Sequence, residues 1–196
     1  MRFADLYNHA ASLAGPVVRV QHDLAPYIKL HHGAVGEVNF WEVDLDPEIS
    51  FGHLVFEYDR SSAYGEEYAI ANIRFCEGLN RCWRRFVACK ELMHVFDRDD
   101  ERVTSRERFL QLMHELETRP LYGDMSRMLT SEHEAMWKAL TVLCPKPRRD
   151  EFMQRWTEKS IGAYDIAVHF LIPADCVSAL MGPYYDDVLA KLLSEA

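Results

Sequence analysis

No window of 18 consecutive apolar residues occurs in the 196-residue chain, and its first residues, Met1-Arg2-Phe3-Ala4-Asp5, form no apolar signal-peptide core. Neither a membrane span nor secretion is therefore expected. Positive charge is scarce: 22 Lys and Arg stand against 31 Asp and Glu, a formal net charge of -9. That balance withdraws the counterion-release term behind most binding to nucleic acid and anionic membranes, and direct contact with either is not expected. The five cysteines, Cys76, Cys82, Cys89, Cys144 and Cys176, contain no C-x-x-C pair. This fits reduced thiols in a cytoplasm rather than a disulfide framework or a Cys-rich zinc site. A Gly-rich phosphate loop and a G-x-S-x-G elbow are also missing. Core material is plentiful, with 48% hydrophobic and 12% aromatic residues, and the length suits one domain over 1–196.

The pattern of apolar residues divides the chain into a mixed first half and a helical second half, an α+β fold. Asp5 to Leu13 reads as a short helix closed by Gly15-Pro16. Val35 to Val43, His53 to Tyr58 and Tyr68 to Arg74 read as strands of a small antiparallel sheet, ended by Gly78-Leu79-Asn80. From Arg81 the period becomes 3.6, with Phe86, Cys89, Met93 and Phe96 on one stripe, up to the acidic run from Asp97 to Asp100. Capping boxes at Thr104 to Glu107 and Ser131 to Glu134 announce two further helices, the second carrying Met136, Trp137, Leu140 and Leu143. Asp150 and Ser160 are read as caps of segments reaching Trp156 and Ile172. Pro173-Ala174-Asp175 opens another helix, and Gly182-Pro183 separates it from a terminal one ending at Leu192-Leu193.

The helix from Arg81 carries the most informative chemistry. In H-E-x-x-H, two histidines four residues apart on one helical face hold a metal while the glutamate polarises the metal-bound water. Here the same frame reads Lys90-Glu91-x-x-His94. A protonated lysine has three donors and no lone pair, so it cannot replace a zinc-ligating imidazole. His114-Glu115 and His133-Glu134 each start such a pair, but Thr118 and Trp137 stand at the fifth position, so both are read as polar helix faces. His31-His32 beside Gly33 reads as a loop, and Cys89, on the apolar stripe, as a buried inert thiol.

With its flanks, Arg85-Phe86, Ala88, Glu91 and His94, this segment resembles the R-F-x-x-A-H-E-x-G-H helix of the ImmA/IrrE-type metallopeptidase family. A second stretch is similar to that family's later helix, E-x-A-x-x-F-A-x-x-L-L-x-P: Ala163, Ile166, Ala167, Phe170, Leu171 and Pro173 fall on its spacing. The resemblance covers residues 35–100 and 160–182, with 104–159 as a helical insertion, and it implies a zincin-like active-site helix fed by a small sheet. It also implies that position 90 should hold the first histidine ligand and that the later helix should supply a glutamate. Lys90 takes the first place and Gly162, or Ser160 two residues earlier, is read at the second, so two of three expected metal ligands are replaced.

Asp165 and His169 share one helical face with Glu158 and Gly162, and are possible substitute ligands beside His94. Alternatively, the Lys90 ammonium stands where the metal's charge stood and pairs with Glu91 or Asp165. The resulting expectation is a metal-free pseudo-peptidase acting as a regulatory protein-binding module, with no cofactor. The alternative is a zinc endopeptidase with a rearranged ligand set, Glu91 its general base and His94 a metal ligand. The resemblance implies a bacterial or phage setting and a repressor-like transcription regulator as the partner class. If the old site is silent, Trp137 and Trp156 of the helical block are candidate contact residues.

Overall fold

The computed structural model describes residues 1–47, 50–60, 65–97 and 127–194, with side chains in the last stretch from 130 onward. The fold is α+β: a three-stranded sheet lies in the N-terminal half, and the C-terminal half is mainly helical. The helix expected over 104–120 lies outside the described residues.

The first helix, α1 (Phe3–Ser12), buries Phe3, Leu6, Tyr7 and Ala10, the three- and four-residue steps of an amphipathic stripe. A π-helical turn, Val20–Leu24, leads into α2 (Ala25–His31), whose Pro26 sits in the first turn, where a missing N–H costs nothing. The strands are β1 (Val35–Val43), β2 (Gly52–Arg60) and β3 (Glu67–Cys76), in the order β1-β3-β2.

The sheet is mixed rather than antiparallel. β2 pairs antiparallel with β3, Leu54 opposite Ile73 and Phe56 opposite Ala71, but β1 pairs parallel with β3, Phe40 alongside Ile73. Chain order suggests a meander. Instead β2 returns on the far side of β3, so the central strand is the last one, and its burial matches: Ala71, Ile73, Phe75 and Cys76 are all buried. On the other face, Asn72 Oδ1 accepts from Trp41 Nε1 at 3.1 Å and from Asn39 Nδ2 at 3.3 Å, tying β1 to β3 by side chains as well.

After β3, Gly78 turns at φ +80°, and Asn80 caps α3 (Arg81–Met93), its Oδ1 accepting from the backbone N–H of Cys82 and Trp83 at 3.0 and 3.1 Å. A 3-10 turn, His94–Phe96, ends the helix. Beyond it run α4 (Arg127–Leu143), α5 (Lys146–Thr157), α6 (Ala163–Phe170), α7 (Val177–Met181) and α8 (Tyr185–Ser194). Three cap assignments change. Ser131 lies inside α4. Asp150 lies inside α5, which starts at Lys146 with Pro147 in its first turn. Gly162 is the N-cap of α6, where its N–H donates to Asp165 Oδ2 at 3.2 Å.

The core is laid down where α3 packs between the sheet and α4. Phe86, Leu92, Met93, Ile73, Trp137 and Tyr185 are the large side chains within it, all with under 2% exposure, each worth about 1.5–3 kcal/mol of burial. Trp137 is therefore structural and offers no contact surface, being fully buried, while Trp156 is half-buried. Among the described residues no single helix is long and apolar enough to cross a membrane. The apolar pair Ala163–Phe170 and Ala174–Met181 is bent by 107° and contributes Ile166, Phe170, Cys176, Val177 and Leu180 to the core.

Candidate functional site

Where α3 meets α4, six polar side chains converge inside an otherwise apolar interface. Lys90, Glu91 and His94 come from α3 and its 3-10 extension, Asp97 follows that turn, and Ser131 and Glu132 come from α4. Lys90 and Glu91 are each 2% exposed, His94 4% and Glu132 5%. Burying such groups costs several kcal/mol per ion unless partners replace water, so their mutual geometry decides whether the site is stable.

Lys90 supplies the replacement. Its Nζ lies 3.0 Å from Glu91 Oε1 and 2.5 Å from Glu132 Oε2, so one ammonium bridges carboxylates from two helices. Burial disfavours the charged ammonium, but the attraction of Glu91 and Glu132 together with their hydrogen bonds outweighs it, and the Lys90 pKa rises above its ordinary value. The lysine is held as a cation.

His94 is fixed from both sides. Its Nδ1 contacts Asp97 Oδ2, the same oxygen that accepts a 2.6 Å hydrogen bond from Ser131 Oγ. Its Nε2 then faces the carboxylates, 3.4 Å from Glu132 Oε1 and 4.0 Å from Glu91 Oε2. A carboxylate on one ring nitrogen orients the other, the arrangement by which metal-binding histidines are aimed. Glu91 itself is pressed from below by the sheet: a Cβ on Gly52 would lie 3.2 Å from Glu91 Cγ and 2.8 Å from the Arg74 carbonyl. Only glycine lets β2 come this close to α3.

The chemistry of this donor set decides whether a zinc ion fits. Three buried atoms, Glu91 Oε2, His94 Nε2 and Glu132 Oε1, have no hydrogen-bond partner among the described residues, and each is a zinc-ligand type. The other oxygen of each glutamate is committed to Lys90. A dication placed among the three would have to share both glutamates with a fixed ammonium, whose charge opposes it. The residues do not fit zinc while Lys90 is charged.

No protein-family model, no curated protein and no solved structure matches this chain. The site therefore rests on its own geometry.

That geometry brings together three of the residues singled out from sequence, Lys90, Glu91 and His94, and excludes three others. Asp165 is exposed at the start of α6, where its carboxylate caps Gly162. His169 is exposed on the same helix and stacks near Phe152 and Phe170, with ring centroids 4.6 and 5.0 Å away. Gly162 lies at the cap itself, and the E-x-A spacing counted back from Ala163 puts the expected glutamate at Ile161 rather than at Gly162. Neither Asp165 nor His169 contributes to the cluster, because α6 docks through Ile166, Ala167 and Phe170 and turns its polar face outward. Glu132 takes the place they were considered for, and Asp97 and Ser131 were also missed. His133, read as part of a polar face, is 1% exposed, and His32, read as a loop residue, anchors α2 by bonding the Val95 carbonyl through Nε2 at 3.1 Å. Cys89 is buried, and burial pushes its thiol up to about 12, an inert form.

Proposed function

We propose that this chain is a metal-free relative of the ImmA/IrrE-type metallopeptidases in which the Lys90 ammonium holds the place of the metal, and that it works in the cytoplasm as a regulatory protein-binding module. One observation carries this reading: Lys90 Nζ sits 3.0 and 2.5 Å from carboxylate oxygens of Glu91 and Glu132, with His94 Nε2 beside Glu132. In the resembled helix, position 90 holds a metal ligand, Glu91 is the general base and His94 the second histidine. A lysine at 90 removes a ligand and supplies a positive charge at once, so the two glutamates keep a counter-charge and the helix keeps its packing. Glu91, spent on an ammonium, has no metal-bound water to deprotonate. A repressor-like transcription regulator is the partner class that the resemblance implies.

One observation favours the alternative, a zinc endopeptidase with a rearranged ligand set: Glu91 Oε2 and Glu132 Oε1 each lie within 4.0 Å of His94 Nε2, and none of the three has a hydrogen-bond partner among the described residues. Zinc content and casein cleavage, measured on protein purified without a metal-affinity tag, separate the two. The proposal expects substoichiometric zinc and cleavage no faster than in Glu91→Gln. About one zinc per chain, lost in His94→Ala and accompanied by cleavage, would establish the alternative.

A further inference from the structure

The N-terminal half of α3 carries a second concentration of charge, on a different face from Lys90. Arg81, Arg84, Arg85 and Ala88 recur at three- and four-residue steps, and they join Arg19 and His22 around a cavity of about 260 Å³. Its floor is apolar, formed by Val20, Phe75, Ala88 and Leu171, and no Asp or Glu lines it. In a chain of net charge -9, four arginines around one concavity is a strong local reversal of sign.

The guanidinium groups differ in how far they are neutralised. Arg19 is paired with Asp23 at 2.7 Å. Arg84 reaches Glu42 at 3.3 Å, but both side chains are more than 40% exposed, so the pair is weak and exchangeable. Arg85, half-buried in the wall, donates to the carbonyls of Val18 at 2.6 and 3.2 Å, Phe170 at 2.8 Å and Leu171 at 3.0 Å. Its charge is solvated by dipoles and meets no carboxylate among the described residues. Arg81 is exposed and has no ion-pair partner among them.

We propose that this cavity binds a small phosphate monoester, its phosphoryl oxygens taken by Arg81 and Arg84 under the field of Arg85, its organic group resting on Phe75 and Leu171. Arginine's planar fork matches phosphate oxygens two at a time, so two forks, from Arg81 and Arg84, suit the three terminal oxygens of a phosphoryl group better than the two of a carboxylate. The volume lies just under the range of drug-sized sites, about 300–1,000 Å³, which suits a phosphoryl group with a compact substituent. A nucleic-acid strand is disfavoured, since the rest of the surface would repel its phosphates. This site is independent of the Lys90 cluster.

Isothermal titration of the full chain with phenyl phosphate tests it. Saturable binding with Kd below about 1 mM is expected, roughly tenfold weaker in Arg81→Gln and in Arg84→Gln and several-fold tighter in Glu42→Gln, which frees Arg84. Glu151→Gln makes the same charge change on α5, outside the cavity lining, and should leave Kd unchanged. No saturation by about 10 mM, benzoate binding as tightly as phenyl phosphate, or equal effects of the Glu42 and Glu151 changes would overturn the proposal. Circular dichroism of each variant confirms that the exposed substitutions leave the fold intact.

Discussion

Lys90 Nζ and Glu132 Oε2 stand 2.5 Å apart at the interface of α3 and α4, and the same ammonium holds Glu91 at 3.0 Å. The pair joins two helices through charge where their neighbours join them through apolar contact. Lys90→Met keeps an unbranched side chain one atom shorter but strands two buried carboxylates. Breaking one side of a buried ion pair typically costs about 3–5 kcal/mol, so urea denaturation at neutral pH should show a loss of that size. Lys90→Met combined with Glu132→Met should recover part of it. An unchanged unfolding midpoint in the single variant would show that Lys90 does not hold the interface.

Alkaline pH should erode stability through the buried thiols and then through Lys90. Burial raises the Cys89 pKa from 9.0 to about 12 and lifts those of Cys144 and Cys176 above their ordinary value as well. A pKa raised on folding means that the contribution is complete below the unfolded value and is lost as pH climbs through the folded one. The thiols therefore begin to cost stability at about pH 9. Lys90, raised by its carboxylates against the opposing effect of burial, follows above about pH 10.4. Urea midpoints measured between about pH 8 and 10 should fall, and the fall should be shallower in Cys89→Ala.

Gly52→Ala should destabilise the chain by about 1–3 kcal/mol, the usual range for overpacking. The added Cβ would stand 2.7 Å from Val87 Cγ1 and 2.8 Å from the Arg74 carbonyl oxygen, and the second of these is backbone that cannot rotate away. Relief would come by moving β2 off α3, which shifts Glu91 too. Thermal unfolding checks the size of the effect.

Arg85→Lys should cost about 2 kcal/mol despite keeping the charge, because one ammonium cannot serve carbonyls that the guanidinium reaches in two separate segments. The native side chain ties α3 to Val18 on one side and to Phe170 and Leu171 on the other. Leu171 closes α6 at φ +52°, so the bond also restrains a left-handed residue that is not glycine. Chemical denaturation of the variant, with the apolar Arg85→Met for comparison, measures the loss.

The sequence made parts of this site legible for identifiable reasons. Lys90, Glu91 and His94 lie within one turn and a half of a helix, where spacing alone predicts which side chains are neighbours. The pairing of Lys90 was expected with Glu91 or Asp165, from the idea of an ammonium in the metal's place rather than from spacing, and Glu91 is the one of these it meets. Glu132 was not legible, because it meets His94 only through the packing of α4 on α3, which no periodicity encodes. The resemblance pointed toward 160–173 for a third ligand, and the structure places that helix against Phe152 and the core instead. The strands were found near their true positions, since alternation is local. Their mixed topology was not, since β1 and β3 become parallel neighbours only when β2 crosses to the far edge.

The most direct test of the Lys90 account is a zinc titration of Lys90→His. Imidazole in place of the ammonium removes the repelling charge and completes a set with His94 and Glu132, so the metal-free variant should melt below the native chain. Zinc should then bind at about one ion per chain and restore the melting temperature, while the native chain and Lys90→Met show no such rise. Stoichiometric zinc bound to the native chain, or no zinc binding by a folded Lys90→His, would contradict the claim that Lys90 occupies the place of a metal.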